Sequence, residues 1–242
     1  MLLQVEGLKK RFGRRNAVNG VSFTLEVGDV LGFVGPNGAG KTTTMRMIAG
    51  YLEPDYGFTR VLNFDMFRQT RDAQQHLGYL PEGAPLYGEM TPWAYLIYVA
   101  EARGLEGKYA RYAATKAADK GRLGAAIDQP IDTLSKGYRR RVAFAAALIH
   151  DPSVLVLDEP TDGLDPNQKR AVRALIADLS KEKAVLISTH ALEEVEAMCN
   201  RAIIIDRGVI VAQGAPAALA ARAASGRLDD YFRDVTKAED LP

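Results

Sequence analysis

Two stretches of this chain hold residue types that do phosphate chemistry. The first is Gly35-Pro36-Asn37-Gly38-Ala39-Gly40-Lys41-Thr42. Its glycines let backbone N–H groups curl inward around phosphate oxygens without a Cβ clash. Lys41 can reach the β- and γ-phosphates of a nucleotide, and the Thr42 hydroxyl is a ligand for Mg²⁺. A helix expected from Thr42 to Gly50 points its positive end at the same anion. The second stretch is Val154-Leu155-Val156-Leu157-Asp158-Glu159, an apolar run ending in two carboxylates. It reads as a parallel strand covered on both faces, with its carboxyl end open to ligand. Asp158 is then placed to hold Mg²⁺ through water, and Glu159 to polarise an attacking water. A chance glycine turn and a surface carboxylate pair are the bland readings. Both motifs in one chain argue for a nucleotide site.

A third motif, Leu134-Ser135-Lys136-Gly137-Tyr138, precedes the carboxylate strand. Ser135 is a good N-cap, and a helix starting there aims its free N–H groups outward at an anion. On its own it would be a helix start and nothing more. Arg139-Arg140-Arg141 reads as a solvated helix face rather than a nucleic-acid patch. His190 follows Val185-Leu186-Ile187-Ser188-Thr189 at a strand end, a place where a lone histidine is commonly structural. His76 and His150 take that structural reading too.

The elements that must position these residues are partly visible. Leu3-Gln4-Val5, Val21 to Leu25 and Val30 to Val34 are strand-like, the last running into the glycine loop. Leu77 to Leu80 is a further strand. From about 83 to 150 the pattern is helical and alanine-rich, which reads as an inserted helical subdomain. Lys169 to Ser180 is an amphipathic helix, Ala184 to Ser188 a buried strand, and Ala191 to Cys199 helical. Ile203 to Ile205 and Val209 to Val211 form a hairpin around Arg207-Gly208. The tail from about 215 is weakly determined, and residues 1–242 read as one domain with no internal repeat.

Bulk numbers narrow the class. Lysine plus arginine total 31 against 30 acidic residues, so no basic field draws the chain to nucleic acid, and none is expected as a partner. A single cysteine, Cys199, suits a reducing cytosol. No apolar run approaches the roughly 18 residues of a membrane span, and the N-terminus has no signal-peptide core. A soluble intracellular protein is expected, so any membrane process would need another chain to supply the membrane.

The order of glycine loop, LSKGY and Asp-Glu strand resembles the ATP-binding cassette (ABC) ATPases over nearly the whole chain. That resemblance implies an α/β fold: a P-loop NTPase core with a mainly parallel sheet, an N-terminal antiparallel β subdomain and an inserted helical subdomain. It implies ATP as substrate with Mg²⁺, held by Gly35, Pro36, Asn37, Gly38, Ala39, Gly40, Lys41, Thr42 and Thr43. Catalysis is implied for Glu159, His190 and Lys41, with His190 as the switch histidine at the γ-phosphate. Ser135 and Gly137 are implied to face ATP held by a second copy, and Asp165, in Thr161-Asp162-Gly163-Leu164-Asp165, to cross the dimer interface. Phe12 matches the aromatic that stacks on adenine, with a core phenylalanine as the open alternative. The metal set is Thr42, Asp158 and Glu82. At position 82 the family usually has glutamine, and a carboxylate can still bind Mg²⁺ directly or through water. Lys136 and Tyr138 depart from the commoner LSGGQ.

Gly78-Tyr79-Leu80-Pro81-Glu82, LSKGY, PTDGLDP and the late LDDYFRDVT resemble an export branch that includes multidrug and gliding-motility ATPases. This implies a cytoplasmic subunit, peripheral on the inner face of the membrane, paired with a second ABC ATPase subunit and driving an integral membrane permease. Two alternatives stay open. One is a soluble ABC ATPase acting on nucleic acid or ribosomes. Such proteins commonly carry a long coiled coil or two cassettes, and no sustained heptads separate Lys41 from Asp158. The other is a regulatory nucleotide module without turnover, against which Glu159 and His190 argue. Tyr87, Met90, Trp93, Tyr95 and Tyr98 cluster early in the helical insert, as core packing or as an anchor for the membrane partner.

Overall fold

Leu3, Val5 and Leu8, then Val18, Val21, Phe23 and Leu25, are buried between polar neighbours. That alternation, broken by three-residue steps at Val5–Leu8 and Val18–Val21 where the register shifts, makes an antiparallel hairpin of β1 (Leu3–Phe12) and β2 (Arg15–Leu25), turned at Gly13 with φ 59°. The computed structural model describes residues 1–236 of the chain. In it β1 runs well beyond the expected Leu3 to Val5. Its outer half is polar, and Lys10 there is held by Asp55 Oδ1 at 2.8 Å and by the Glu53 carbonyl at 2.7 Å. An apolar count does not register such a strand.

β3 (Val30–Val34), buried throughout, enters the glycine loop and then α1 (Lys41–Ile48). β4 (Tyr56–Val61) and β5 (Phe64–Asp65) complete an antiparallel sheet in the order β2-β1-β4-β5. Next come α2 (Thr70–Gln75), β6 (Leu77–Leu80), α3 (Pro92–Ala102), α4 (Lys108–Gly121) and α5 (Lys136–Ala147). β7 (Val154–Asp158), α6 (Pro166–Leu179), β8 (Ala184–Thr189) and α7 (Leu192–Met198) follow. The hairpin of β9 (Arg201–Asp206) and β10 (Val209–Gly214) leads to α8 (Pro216–Ala220) and α9 (Leu228–Thr236). The described part of the tail is therefore helical. It packs Leu219, Ala220 and Leu228 on Val34, Ile204 and Val195, a long-range apolar contact that no local pattern announces. Residues 237–242 of that tail lie outside the described residues.

The second sheet runs β10-β9-β3-β8-β7-β6 and is parallel except for the β9–β10 hairpin. Alternate residues feed two cores. Val154, Val156 and Leu186 face the antiparallel sheet and α1, while Leu155, Leu157 and Val185 face α5 and α6. α3, α4 and one side of α5 gather around a separate cluster containing Leu96, Ala114, Tyr138 and Val142. α5 is apolar on both sides: Tyr138, Val142 and Ala145 serve that cluster, joined by Ile149 just past the helix, and Ala143, Phe144 and Ala147 serve the sheet.

His150, just past α5, has Nε2 3.1 Å from the Leu77 carbonyl. Burial, then the positive charge of Arg103, pushes its pKa down from 6.5 to about 4. The unfolded chain therefore takes up a proton near pH 6.5 and the folded protein only near 4. The stability His150 contributes is whole above pH 6.5 and is lost as pH falls toward 4. At pH 5 that loss amounts to at most about 2 kcal/mol. His150→Gln is expected to flatten the drop in Tm between pH 7 and pH 5, and an unchanged drop would place the acid sensitivity in another group.

Candidate functional site

The sheet order brings distant residues to one edge. β3, β8, β7 and β6 are neighbours, with Val34 opposite Thr189, Asp158 opposite Ser188 and Leu80 opposite Leu157. Their carboxyl ends therefore present, side by side, the glycine loop, His190, the Asp158–Glu159 pair and the loop carrying Glu82. Ligands of open α/β sheets bind at such an edge.

In the loop, Gly40 caps α1 at φ 108°, and a β-carbon there would run into the Ala17 carbonyl. No side chain caps that helix start, so its first N–H groups are left for an anion. Lys41 Nζ donates to the carbonyls of Gly35 at 2.7 Å and Pro36 at 3.2 Å. Burial lowers its pKa, opposed by the nearby carboxylates of Glu159, Asp158 and Glu82, in that order. Thr42 and Thr43 are half-buried behind it, while Asn37 and Gly38 are exposed. Arg15 Nη2 donates to the Gly38 carbonyl at 2.6 Å and ties the tip of the β1–β2 hairpin to the loop. Phe12, on that hairpin tip, is 52% exposed, so the core alternative for it fails.

Asp158 is 1% exposed. Its Oδ1 accepts from the Ser188 hydroxyl, and its Oδ2 is buried with no hydrogen-bond partner among the described residues. An orphaned carboxylate oxygen is costly unless a cation or bound water completes it. Such a carboxylate oxygen is a hard donor of the kind Mg²⁺ takes, as are a threonine hydroxyl such as that of Thr42 and an exposed carboxylate such as Glu82. Glu159 sits at φ 50° and is hydrogen-bonded through Oε1 to His190 Nδ1 at 2.9 Å. The Glu159 side chain is 13% exposed and that of His190 64%.

Ser135 caps α5, its Oγ accepting from Tyr138 N at 3.2 Å. Gly137 packs on α6, where a β-carbon would strike Gln168 Oε1. Asp165 caps α6, accepting from the Asn167 and Gln168 N–H groups, each at 2.9 Å. The two departures from LSGGQ have local accounts. Lys136 Nζ pairs with Asp162 Oδ2 at 2.9 Å, and the Tyr138 hydroxyl donates to the Leu123 carbonyl inside the helical cluster.

The arginine run is not simply a solvated face. Arg139 is exposed, but Arg140 and Arg141 are half-buried. Arg141 Nη1 donates to the Arg122 carbonyl at 2.9 Å, and its guanidinium lies 4.5 Å over the Tyr138 ring. Arg140 reaches the backbone carbonyls of Pro81, Asp158 and Glu159. Charge alone reads as solvated, and nothing local separates these two from Arg139. Ser188 carries a signal of its own in the sequence, since a serine inside a wholly buried strand needs a polar partner, here Asp158.

Residues 18–162 match the family model described as ABC transporter. The chain is 37% identical over 218 residues to a Nod factor export ATP-binding protein I of Burkholderia orbicola, covering 90% of this chain and 72% of that one. A solved ATP-binding subunit of an ABC transporter superposes with a TM-score of 0.87 at 28% identity, over 98% of this chain and 100% of that one. A dimeric ATP-binding cassette, solved after hydrolysis with ADP and Pi, superposes with a TM-score of 0.80 at 20% identity. The overlap spans 88% of this chain and 98% of the other.

Proposed function

The chain belongs to the ABC transporter family and is an ATPase of it, and from that premise we propose that two copies close on two ATP molecules and drive a separate membrane permease in export. The carrying observation is the row of strand ends at which Lys41, Asp158, Glu159 and His190 meet, with Glu159 and His190 hydrogen-bonded at 2.9 Å. In this reading the loop from Gly35 to Thr43 cradles the phosphates and Phe12 stacks on adenine. Thr42, Asp158 and Glu82 would hold Mg²⁺, which when bound neutralises charge developing on the phosphates. Glu159 orients the attacking water and accepts its proton as the terminal P–O bond breaks. His190 steadies that carboxylate and meets the γ-phosphate. Ser135 and Gly137 complete the site of the opposite copy, with Asp165 at the interface. The export direction is supported by the Nod factor export relative.

We take residues 1–242 as one ATPase domain and 83–150 as its helical subdomain. Among the described residues no helix is long and apolar enough to cross a membrane. The soluble nucleic-acid alternative has less support, since α3 and α4 span only 11 and 14 residues and form no long coiled coil.

Trp93 and Tyr95 pack partly into the helical cluster and are poor probes of a partner surface. Tyr87 and Tyr98 are 56% and 46% exposed, with ring centroids 5.5 Å apart, and suit anchoring better. The tagged chain, recovered from gently solubilised membranes, is expected to bring integral membrane subunits with it. Tyr87→Ser with Tyr98→Ser should weaken that capture and spare ATPase activity of the isolated chain. Recovery of ribosomal or nucleic-acid-bound proteins in their place would favour the alternative.

A further inference from the structure

We propose that Arg140 is a positioning residue of the hydrolytic site, fixing the backbone from which the Glu159 carboxylate projects and tying it to the helix that begins at Ser135. The proposal rests on the reading of Glu159 as the water-orienting carboxylate. Arg140 lies one turn into α5. Its Nη1 donates to the Pro81 carbonyl at 2.8 Å, next to Glu82. Its Nη2 donates to the Glu159 carbonyl at 2.6 Å and to the Asp158 carbonyl. One planar guanidinium thus joins three segments far apart in sequence, a task for which a lysine ammonium lacks the fork.

The backbone it grips is strained. Glu159 has φ 50°, a left-handed conformation that costs a non-glycine residue energy and persists only when its surroundings impose it. The Glu159 N–H is held by the Ser188 carbonyl at 3.0 Å, and Arg140 holds the carbonyl on the other side. Held between those two anchors, the side chain projects to His190 Nδ1. Without the arginine the peptide after Glu159 can relax and carry the carboxylate off its water. Because Arg140 rides on α5, any shift of the helix starting at Ser135 also reaches Glu159 directly.

The test compares the full chain with Arg140→Gln, Arg140→Lys, Glu159→Gln and the Arg140→Gln/Glu159→Gln pair, reading kcat, KM for ATP and Tm. Arg140→Gln is expected to lower kcat by about 10- to 100-fold, the usual effect of a small misplacement, with KM near parental. Arg140→Lys falls between that and the parent. The pair is expected to be no slower than Glu159→Gln alone, because a residue acting only through Glu159 has nothing left to position. A folded Arg140→Gln with parental kcat overturns the proposal, as do losses that multiply in the pair. Loss of fold in both Arg140 variants also overturns it and makes the residue a structural one. Parental hydrolysis in Glu159→Gln would overturn the reading of Glu159 itself and this proposal with it.

Discussion

Glu159→Gln is expected to slow ATP hydrolysis by a factor on the order of 10²–10⁴, the usual worth of a positioned general base, while ATP and Mg²⁺ still bind. Glutamine keeps the size and the hydrogen bond to His190 Nδ1 but cannot take a proton from water. Lys41, Thr42 and Asp158 are untouched, so the nucleotide is held as before. With the γ-phosphate retained, Ser135 and Gly137 of the opposite copy stay engaged, and a dimer should accumulate in ATP but not in ADP. Gel filtration in each nucleotide, beside a phosphate-release assay, reads both halves. Normal hydrolysis would remove Glu159 from the chemistry. Lost hydrolysis with no ATP-dependent dimer would keep the carboxylate assignment and count against the closing dimer.

Lys41→Ala is expected to abolish tight ATP binding and cut turnover by at least a factor on the order of 10²–10³, the effect of removing one preorganised charge donor. The Lys41 ammonium sits at the loop mouth on the carbonyls of Gly35 and Pro36, facing three carboxylates, and no other cation of the loop can replace it. Ser135→Arg is its counterpart on the opposite surface. It removes an exposed helix cap worth about 1 kcal/mol, so the fold survives while closure onto the partner's ATP is blocked. Mixing the two variants puts both lesions in one site of a mixed dimer and none in the other. Hydrolysis should reappear in the mixture. Validated heterodimers with no activity would argue against a shared site, and near-normal ATP affinity in Lys41→Ala would undo the site assignment.

The Glu82 loop and the arginine run show how unevenly such a site is written into a chain. Local chemistry makes Gly35 to Thr42 readable, because glycines at this spacing let backbone N–H groups close on phosphate while the adjoining lysine supplies a cation. Val154 to Asp158 is readable because a strand buried on both faces must be apolar throughout, so a carboxylate at its end stands out. Ser135 is readable as a cap. The role of Ser135 toward a second copy came only through resemblance.

Other features depended on distance through the fold. β1 is not legible past Val5 because Lys10 finds its partners at Glu53 and Asp55, not nearby. The helices of the tail were hidden because their apolar faces are completed by Val34, Val195 and Ile204. Arg139, Arg140 and Arg141 are one residue type in a row, yet successive positions on a helix point about 100° apart. One faces water, one an aromatic ring and one three carbonyls. By itself the sequence determined which residues can do phosphate chemistry, since that follows from functional groups and short-range geometry. The tertiary structure alone decided which of them stand together, because strand order, not chain order, sets Lys41, His190, Glu159 and Glu82 along one edge.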